Sequence, residues 1–233
     1  METAQYQATE TQVRVNTFVR SVYNWMAIGL GLTGLVAYYV AQSEPLLRLI
    51  FSNRMIVIGL FVVELGMVGY LSARISRLKA STATGLFLFY AFLNGVTLSF
   101  IFIVYTRSSI ASTFFICSAT FAASSVFGWV TKKDLTGMGN FLFMGLIGII
   151  IASVVNMFMQ SSGMTMIISY IGVIVFVGLT AYDTQKIKSM AMSQPADVDA
   201  SVVRKGAIMG ALSLYLDFIN LFLMMLHIFG GRD

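Results

Sequence analysis

The chain has 233 residues, 58% of them hydrophobic and only 11% charged, with 15 Lys and Arg against 10 Asp and Glu. A soluble domain carries about a quarter charged residues, so a water-facing surface cannot be assembled from this composition and soluble enzyme folds are excluded. Mean hydropathy is +0.83, with 15 Met and 19 Phe, which places the chain in the membrane class.

Gaps between charged residues mark the elements. No Lys, Arg, Asp or Glu occurs from Ser21 to Ser43, from Ala80 to Thr106 or from Ser108 to Thr131. Each gap exceeds the ~20 residues a helix needs to cross a ~30 Å hydrocarbon core. In chain order the predicted spans are 21–43, 55–73, 80–106 and 108–131. The first is too long for the apolar core of a signal peptide and carries Trp25, Tyr38 and Tyr39, so it reads as a retained helix. Span two is apolar apart from Glu64. From Leu135 to Tyr182 there are 48 residues without a charge, too many for one crossing, and Gln160-Ser161-Ser162-Gly163 supplies the turn that splits them. The last three spans are therefore 140–159, 164–183 and 206–229. Pro45 and Pro195 both fall in loops, and no internal repeat relates the first three spans to the next three. The fold class is an all-α integral membrane protein, one membrane domain over residues 1–233 with seven transmembrane helices.

Orientation follows from the Lys and Arg of the connecting segments. Eleven lie on the side of the N-terminus, among them Arg74, Arg77, Lys132, Lys133, Lys186 and Lys188; four, Arg48, Arg54, Arg107 and Arg232, lie opposite. The N-terminus is predicted cytoplasmic and, after seven crossings, the C-terminus external.

Several chemistries are excluded by what is missing. A single cysteine, Cys117, and a single histidine, His227, cannot build a Cys- or His-rich metal centre. No Gly-x-Ser-x-Gly element occurs, one histidine cannot form His-Glu-x-x-His, and Asp197 and Asp199 lack the remaining spacing of a calcium loop. Those two acids read instead as caps of the last helix or as solvated loop residues. Basic residues are scattered, which argues against nucleic acid. Neither an enzymatic activity nor a cofactor is expected.

Seven acids lie in tails or loops, and three do not: Glu64 and Asp217 near the middle of spans two and seven, and Asp183 at the end of span six. A carboxylate at the bilayer centre costs ~3 kcal/mol, so such residues usually face a water-filled cavity or a partner. In span seven Gly206, Gly210, Ser213, Asp217, Asn220, Met224 and His227 recur at intervals of three and four, on one helical face. Two readings stand. This face lines a polar path, with Ser213, Asn220 and His227 as pore-lining candidates, or its small residues let helices approach while Asp217 and Asn220 bond across them. His227, near the outer end, also reads as interfacial. Asp183, three residues from Lys186, reads equally as an interfacial ion pair, and Arg74 as a positive-inside anchor. Tyr90, Asn94 and Thr97, and Cys117, Thr120, Ser124 and Gly128, are further small or polar faces that signal close packing.

Two segments carry a recognisable pattern: Gly178-Leu-Thr-Ala-Tyr-Asp183-Thr-Gln-Lys-Ile-Lys188 and Gly210-Ala-Leu-Ser-Leu-Tyr-Leu-Asp217-Phe-Ile-Asn-Leu-Phe222. Both resemble the signature of the Bax-inhibitor family, whose members are also called transmembrane Bax inhibitor motif proteins. Asn16 to Leu30 and Lys132 to Asn140 resemble its bacterial branch. The resemblance implies a bacterial inner-membrane protein whose seventh helix is central and enclosed by the other six, with a periplasmic C-terminus. It also implies a pH-sensitive calcium leak channel. The paired sensor is then Asp183 and Asp217, which also supply ligands for the calcium ion; Arg74 is the latch, with Arg77 as fallback; and Glu64 is a further pore-side acid, or a group hydrogen-bonded to a neighbouring helix.

Two carboxylates in a poorly hydrated site titrate as a coupled pair. Protonation weakens their attraction to an arginine, and the deprotonated pair offers oxygens to Ca²⁺. Helical rise puts Asp183 ~5 Å from Lys186 and Asp217 ~18 Å from Lys205. The acids are thus at different depths unless span seven projects into the cytoplasm or Lys186 snorkels. Two other functions stand beside it: regulation of another membrane protein, such as a quality-control protease, for which Gly148, Ala152 and Asn156 of span five offer a face at i+4 spacing that serves internal packing equally, and proton-coupled transport, which uses the same acids as a relay.

Overall fold

The computed structural model describes residues 2–195 and 197–231, with side chains from Thr11 onward; Arg232, Asp233 and the side chains of Glu2 and Glu10 lie outside the described residues. In chain order the helices are α1 (Glu2–Ala41), α2 (Glu44–Phe51), α3 (Arg54–Arg74), α4 (Ala80–Leu98), α5 (Ile101–Val104), α6 (Arg107–Val130), α7 (Thr136–Met159), α8 (Ser162–Ser193) and α9 (Ala200–Phe229). No strand is present among these residues. Seven stretches are long and apolar enough to cross a bilayer, α4 and α5 together forming the third.

Local chemistry sets the ends. Asn53 caps α3 by accepting from the Met55 amide, and Thr106 caps α6 by accepting from that of Ser109. The turn expected at Gln160 is made by Gln160 itself, at φ 52°, its amide closing on the Asn156 carbonyl. Several boundaries differ from the charge gaps, and α1 and α7 begin earlier than expected, at Glu2 and Thr136. α2 occupies part of the expected first loop, because Pro45 suits a first helical turn and Glu44 pairs with Arg48 one turn on. α8 continues past Asp183 to Ser193, and α9 begins at Ala200 rather than Gly206, where Asp199 accepts a 2.7 Å bond from the Ser201 amide. The third span breaks after Leu98, where Ser99 turns its hydroxyl onto the Val96 carbonyl at 2.7 Å.

The chain divides into two compact units, Met1–Val104 with Met190–Tyr215, and Tyr105–Ser189 with Leu216–Asp233, so α8 and α9 each contribute to both. Within the first, α1 and α3 pack on α4, and α2 touches α1 and α3. A Cβ on Gly95 would stand 2.7 Å from the Thr33 carbonyl oxygen, which shows how closely α1 and α4 approach. Thr33 donates to the Ala91 carbonyl at 2.8 Å and shares a 2.6 Å bond with the Tyr215 hydroxyl. The rings of Phe87 and Tyr90 meet Tyr215 edge-on at 5.9 and 5.8 Å.

In the second unit Phe218 is the hub, edge-on to Phe121 at 5.4 Å and Phe114 at 5.6 Å. The Cys117 thiol points at the Phe218 carbonyl at 3.8 Å, and Gly128 faces the Ala181 backbone with no room for a side chain. The small faces of α4 and α6 are thus packing faces. α3 and α7 are the least buried spans, with Phe141, Met144, Ile151 and Phe158 of α7 exposed, as suits hydrocarbon; α9 is the most buried.

Candidate functional site

Asp183 on α8 and Asp217 on α9 both belong to the second unit. Asp217 is 5% exposed, and its Oδ2 makes no hydrogen bond among the described residues. Asp183 is half-buried. The two carboxylates act on one another electrostatically, and Lys186 acts on Asp183 from three residues on. Span six was expected to close at Asp183, whereas α8 runs on to Ser193. Lys186 instead folds back over the Tyr182 ring, 5.9 Å from its centroid, and Lys188 donates to the Trp129 carbonyl at 2.7 Å from a position over that indole.

Packing holds the α8 segment that carries Asp183 in place. Gly128 of α6 admits the Ala181 backbone two residues before Asp183, and a Cβ on Gly139 of α7 would meet the Tyr182 ring at 2.5 Å. Two residues after Asp183, Gln185 accepts from the Leu135 amide and donates to the Lys133 carbonyl, both at 2.8 Å. That amide bridge fixes the α6–α7 connection to α8.

A carboxylate oxygen buried without a donor is stabilised by a proton or a cation. Among the described residues no three His, Cys, Asp or Glu side chains come together as metal ligands. Two carboxylates supply at most part of the six to eight oxygens Ca²⁺ takes, leaving water and backbone carbonyls to complete the shell.

The other sequence-selected residues fall elsewhere. Glu64, 5% exposed, belongs to the first unit and accepts a 2.6 Å bond from Thr97 of α4, the neighbouring-helix bond that was one of its two readings. Arg74 is exposed at the end of α3 and makes no ion pair among the described residues. Ser213 is half-buried in the first unit, and Asn220 in the second turns its amide back onto the Leu216 carbonyl at 2.8 Å. His227 and Met224 line a cavity of about 660 Å³ with Asn156, Thr165 and Ser169, and the His227 ring meets Tyr105 edge-on at 6.4 Å. Sequence reasoning missed the Gln185 bridge and the Thr33–Tyr215 bond. Both join residues 50 or more positions apart, a spacing that helical periodicity within one span does not register.

Comparison with known proteins agrees with the two motifs. Residues 15–233 match the family described as "Inhibitor of apoptosis-promoting Bax1". The chain is 54% identical over 218 residues to "Inner membrane protein YbhL" of Escherichia coli strain K12, covering 94% of this chain and 93% of that protein. It is 45% identical to an uncharacterized protein of Borreliella burgdorferi, covering 93% of each. It is 37% identical to the uncharacterized membrane protein SpyM3_0260 of Streptococcus pyogenes, covering 97% of each. With the match extending over nearly the whole length and seven helices long enough to cross a bilayer, the chain belongs to the Bax inhibitor family of membrane proteins.

Proposed function

We propose that the protein is a cation leak channel of the bacterial inner membrane that passes calcium and is gated by proton exchange at Asp183 and Asp217, without enzymatic activity or a resident cofactor. The observation that carries this reading is the Asp217 carboxylate, buried with one oxygen lacking a donor and acted on by Asp183. Such a pair exchanges protons and binds cations more readily than it sustains two negative charges. The inner membrane is supported by the name of the Escherichia coli relative. A cytoplasmic N-terminus and periplasmic C-terminus are supported by eleven Lys and Arg on one side against four on the other. Glu64 and the stripe residues Ser213, Asn220 and His227 are assigned to the ion path, and Arg74 to the latch, as parts of this reading.

Calcium entry into liposomes that contain only the purified protein tests it. Flux is expected, with an amplitude that depends on pH. Flux absent at every pH, or Asp217→Asn leaving amount and pH dependence unchanged, overturns the channel. Arg74→Gln is expected to raise the basal leak if Arg74 is the latch. Proton counter-flux in the same vesicles identifies a transporter instead. Regulation of a membrane protein such as a protease would use the exposed face of α7, where Gly148 has open space beside it, and would survive Asp217→Asn.

A further inference from the structure

In the first unit, a cleft of about 540 Å³ opens between the start of α1, the end of α8 and the start of α9. Its walls are largely apolar, formed by Val13, Phe18, Trp25, Pro195, Val198 and Val203. Two guanidinium groups, Arg14 and Arg204, belong to the same lining, and among the described residues no Asp or Glu does.

Arg204 is held rather than free. Its Nε donates to the Thr84 hydroxyl at 3.2 Å, and its guanidinium carbon lies 5.6 Å from the centre of the Trp25 ring. Those contacts use the stem and the flat face of the group and leave its terminal amino groups for a ligand. Arg14 is exposed and, among the described residues, donates to the Thr11 hydroxyl at 3.3 Å. Of the acids that flank the lining in sequence, Asp199 accepts from the Ser201 amide, Asp197 is exposed, and the Glu10 side chain lies outside the described residues.

We propose that this cleft binds an anionic phospholipid of the surrounding bilayer, the phosphate held between Arg14 and Arg204 and an acyl chain along Phe18, Val203 and Trp25. Charge complementarity carries the assignment, since two arginines in a described lining that holds no carboxylate match a phosphodiester. The walls decide its source. A bare phosphate gains nothing from six apolar side chains, whereas a phospholipid joins the anion to a chain that fills a cavity of this size. The position agrees, because the cleft lies where the apolar stretches of α1 and α9 begin.

Trp25 and Trp129 are the two tryptophans of the chain, so Trp129→Phe leaves Trp25 as a reporter inside the cleft. The full-length variant is placed in phosphatidylcholine bilayers containing either brominated phosphatidylglycerol or brominated phosphatidylcholine at equal mole fraction. Quenching by the anionic lipid is expected to be about twofold greater or more. Arg14→Gln and Arg204→Gln should each reduce that preference, whereas Arg77→Gln, outside the cleft, should leave it intact. Arg14 is exposed, so at least that variant is expected to fold, as circular dichroism checks. Equal quenching by the two lipids overturns the proposal. So does a preference that survives Arg14→Gln, or one lost equally with Arg77→Gln, which marks a general surface potential. Glycerol phosphate in large excess is expected to leave the preference unchanged; if it abolishes the preference, the site takes free phosphate and not lipid.

Discussion

The Thr97 hydroxyl of α4 donates to Glu64 Oε1 of α3 across 2.6 Å, and both side chains are buried. This one bond ties the exposed helix α3 to α4 at mid-span. Thr97→Val keeps the shape and removes the donor, leaving a buried acid without its partner. A loss of about 1–3 kcal/mol is expected, read from denaturation of the purified protein in detergent. Glu64→Gln, which still accepts from Thr97, should cost less; if the two variants are equally destabilised, the bond is not what matters at this position.

Two glycines of α4 make opposite predictions. A Cβ at Gly95 would press 2.7 Å from the Thr33 carbonyl oxygen, a backbone atom that cannot rotate away, whereas a Cβ at Gly85 meets nothing within 4 Å. Gly95→Ala should therefore separate α1 from α4 and destabilise by about 1–3 kcal/mol. Gly85→Ala should be neutral, or stabilising by up to about 1 kcal/mol through helix propensity. Melting temperatures of the two variants are enough to decide.

Gln185 bonds the amide of Leu135 and the carbonyl of Lys133 with opposite ends of its side chain. Gln185→Leu removes both bonds at once and is expected to loosen the α6–α7 connection. Amide exchange at Leu135 should accelerate by tenfold or more, while exchange in the middle of α9 stays as it was. Unchanged exchange at Leu135 would show that the loop is held by other contacts.

Asp134 lies outside the membrane spans, at the entry to α7. Its carboxylate accepts from the Thr136 side chain and, at 2.9 Å, from the Thr136 amide, and the two bonds hold it below the usual carboxylate range. A depressed folded-state value means that the stabilisation is fully present above the unfolded pKa of about 3.9 and is lost as pH falls through the lower folded value. The first turn of α7 should therefore fray on acidification below about pH 4, with Asp134→Ala producing the same fraying at neutral pH. Exchange at the Thr136 amide measures both.

Much of this architecture is legible in the sequence because charge is scarce enough for each gap to mean a span. The helix ends are less so, and for a physical reason. Lys186 and Lys188 read as loop residues, yet their long stems let them ride on a continuing helix, one over Tyr182 and the other over Trp129. The same stems made Asp183 look terminal when α8 runs on to Ser193. The stripe on α9 was also legible as a face, but not what each residue does there. Asn220 spends its donor on its own helix, while Asp217 leaves an oxygen unbonded. Periodicity specifies a direction around the helix and is silent about rotamers.

Because Asp183 and Asp217 act on each other, their removal should not be additive. Each single change, Asp183→Asn or Asp217→Asn, relieves the same carboxylate–carboxylate repulsion, so the second change gains less than the first. A double-mutant cycle on unfolding in detergent, at a pH raised far enough to ionise both carboxyls, is expected to give a coupling of about 0.5–3 kcal/mol. Its sign should mark the pair as mutually unfavourable when both are ionised, and it should shrink as the pH is lowered and the pair is neutralised. Additive effects across the whole pH range would mean that the two carboxylates titrate independently. In that case a sensor built from the pair loses its physical basis even if the protein conducts ions.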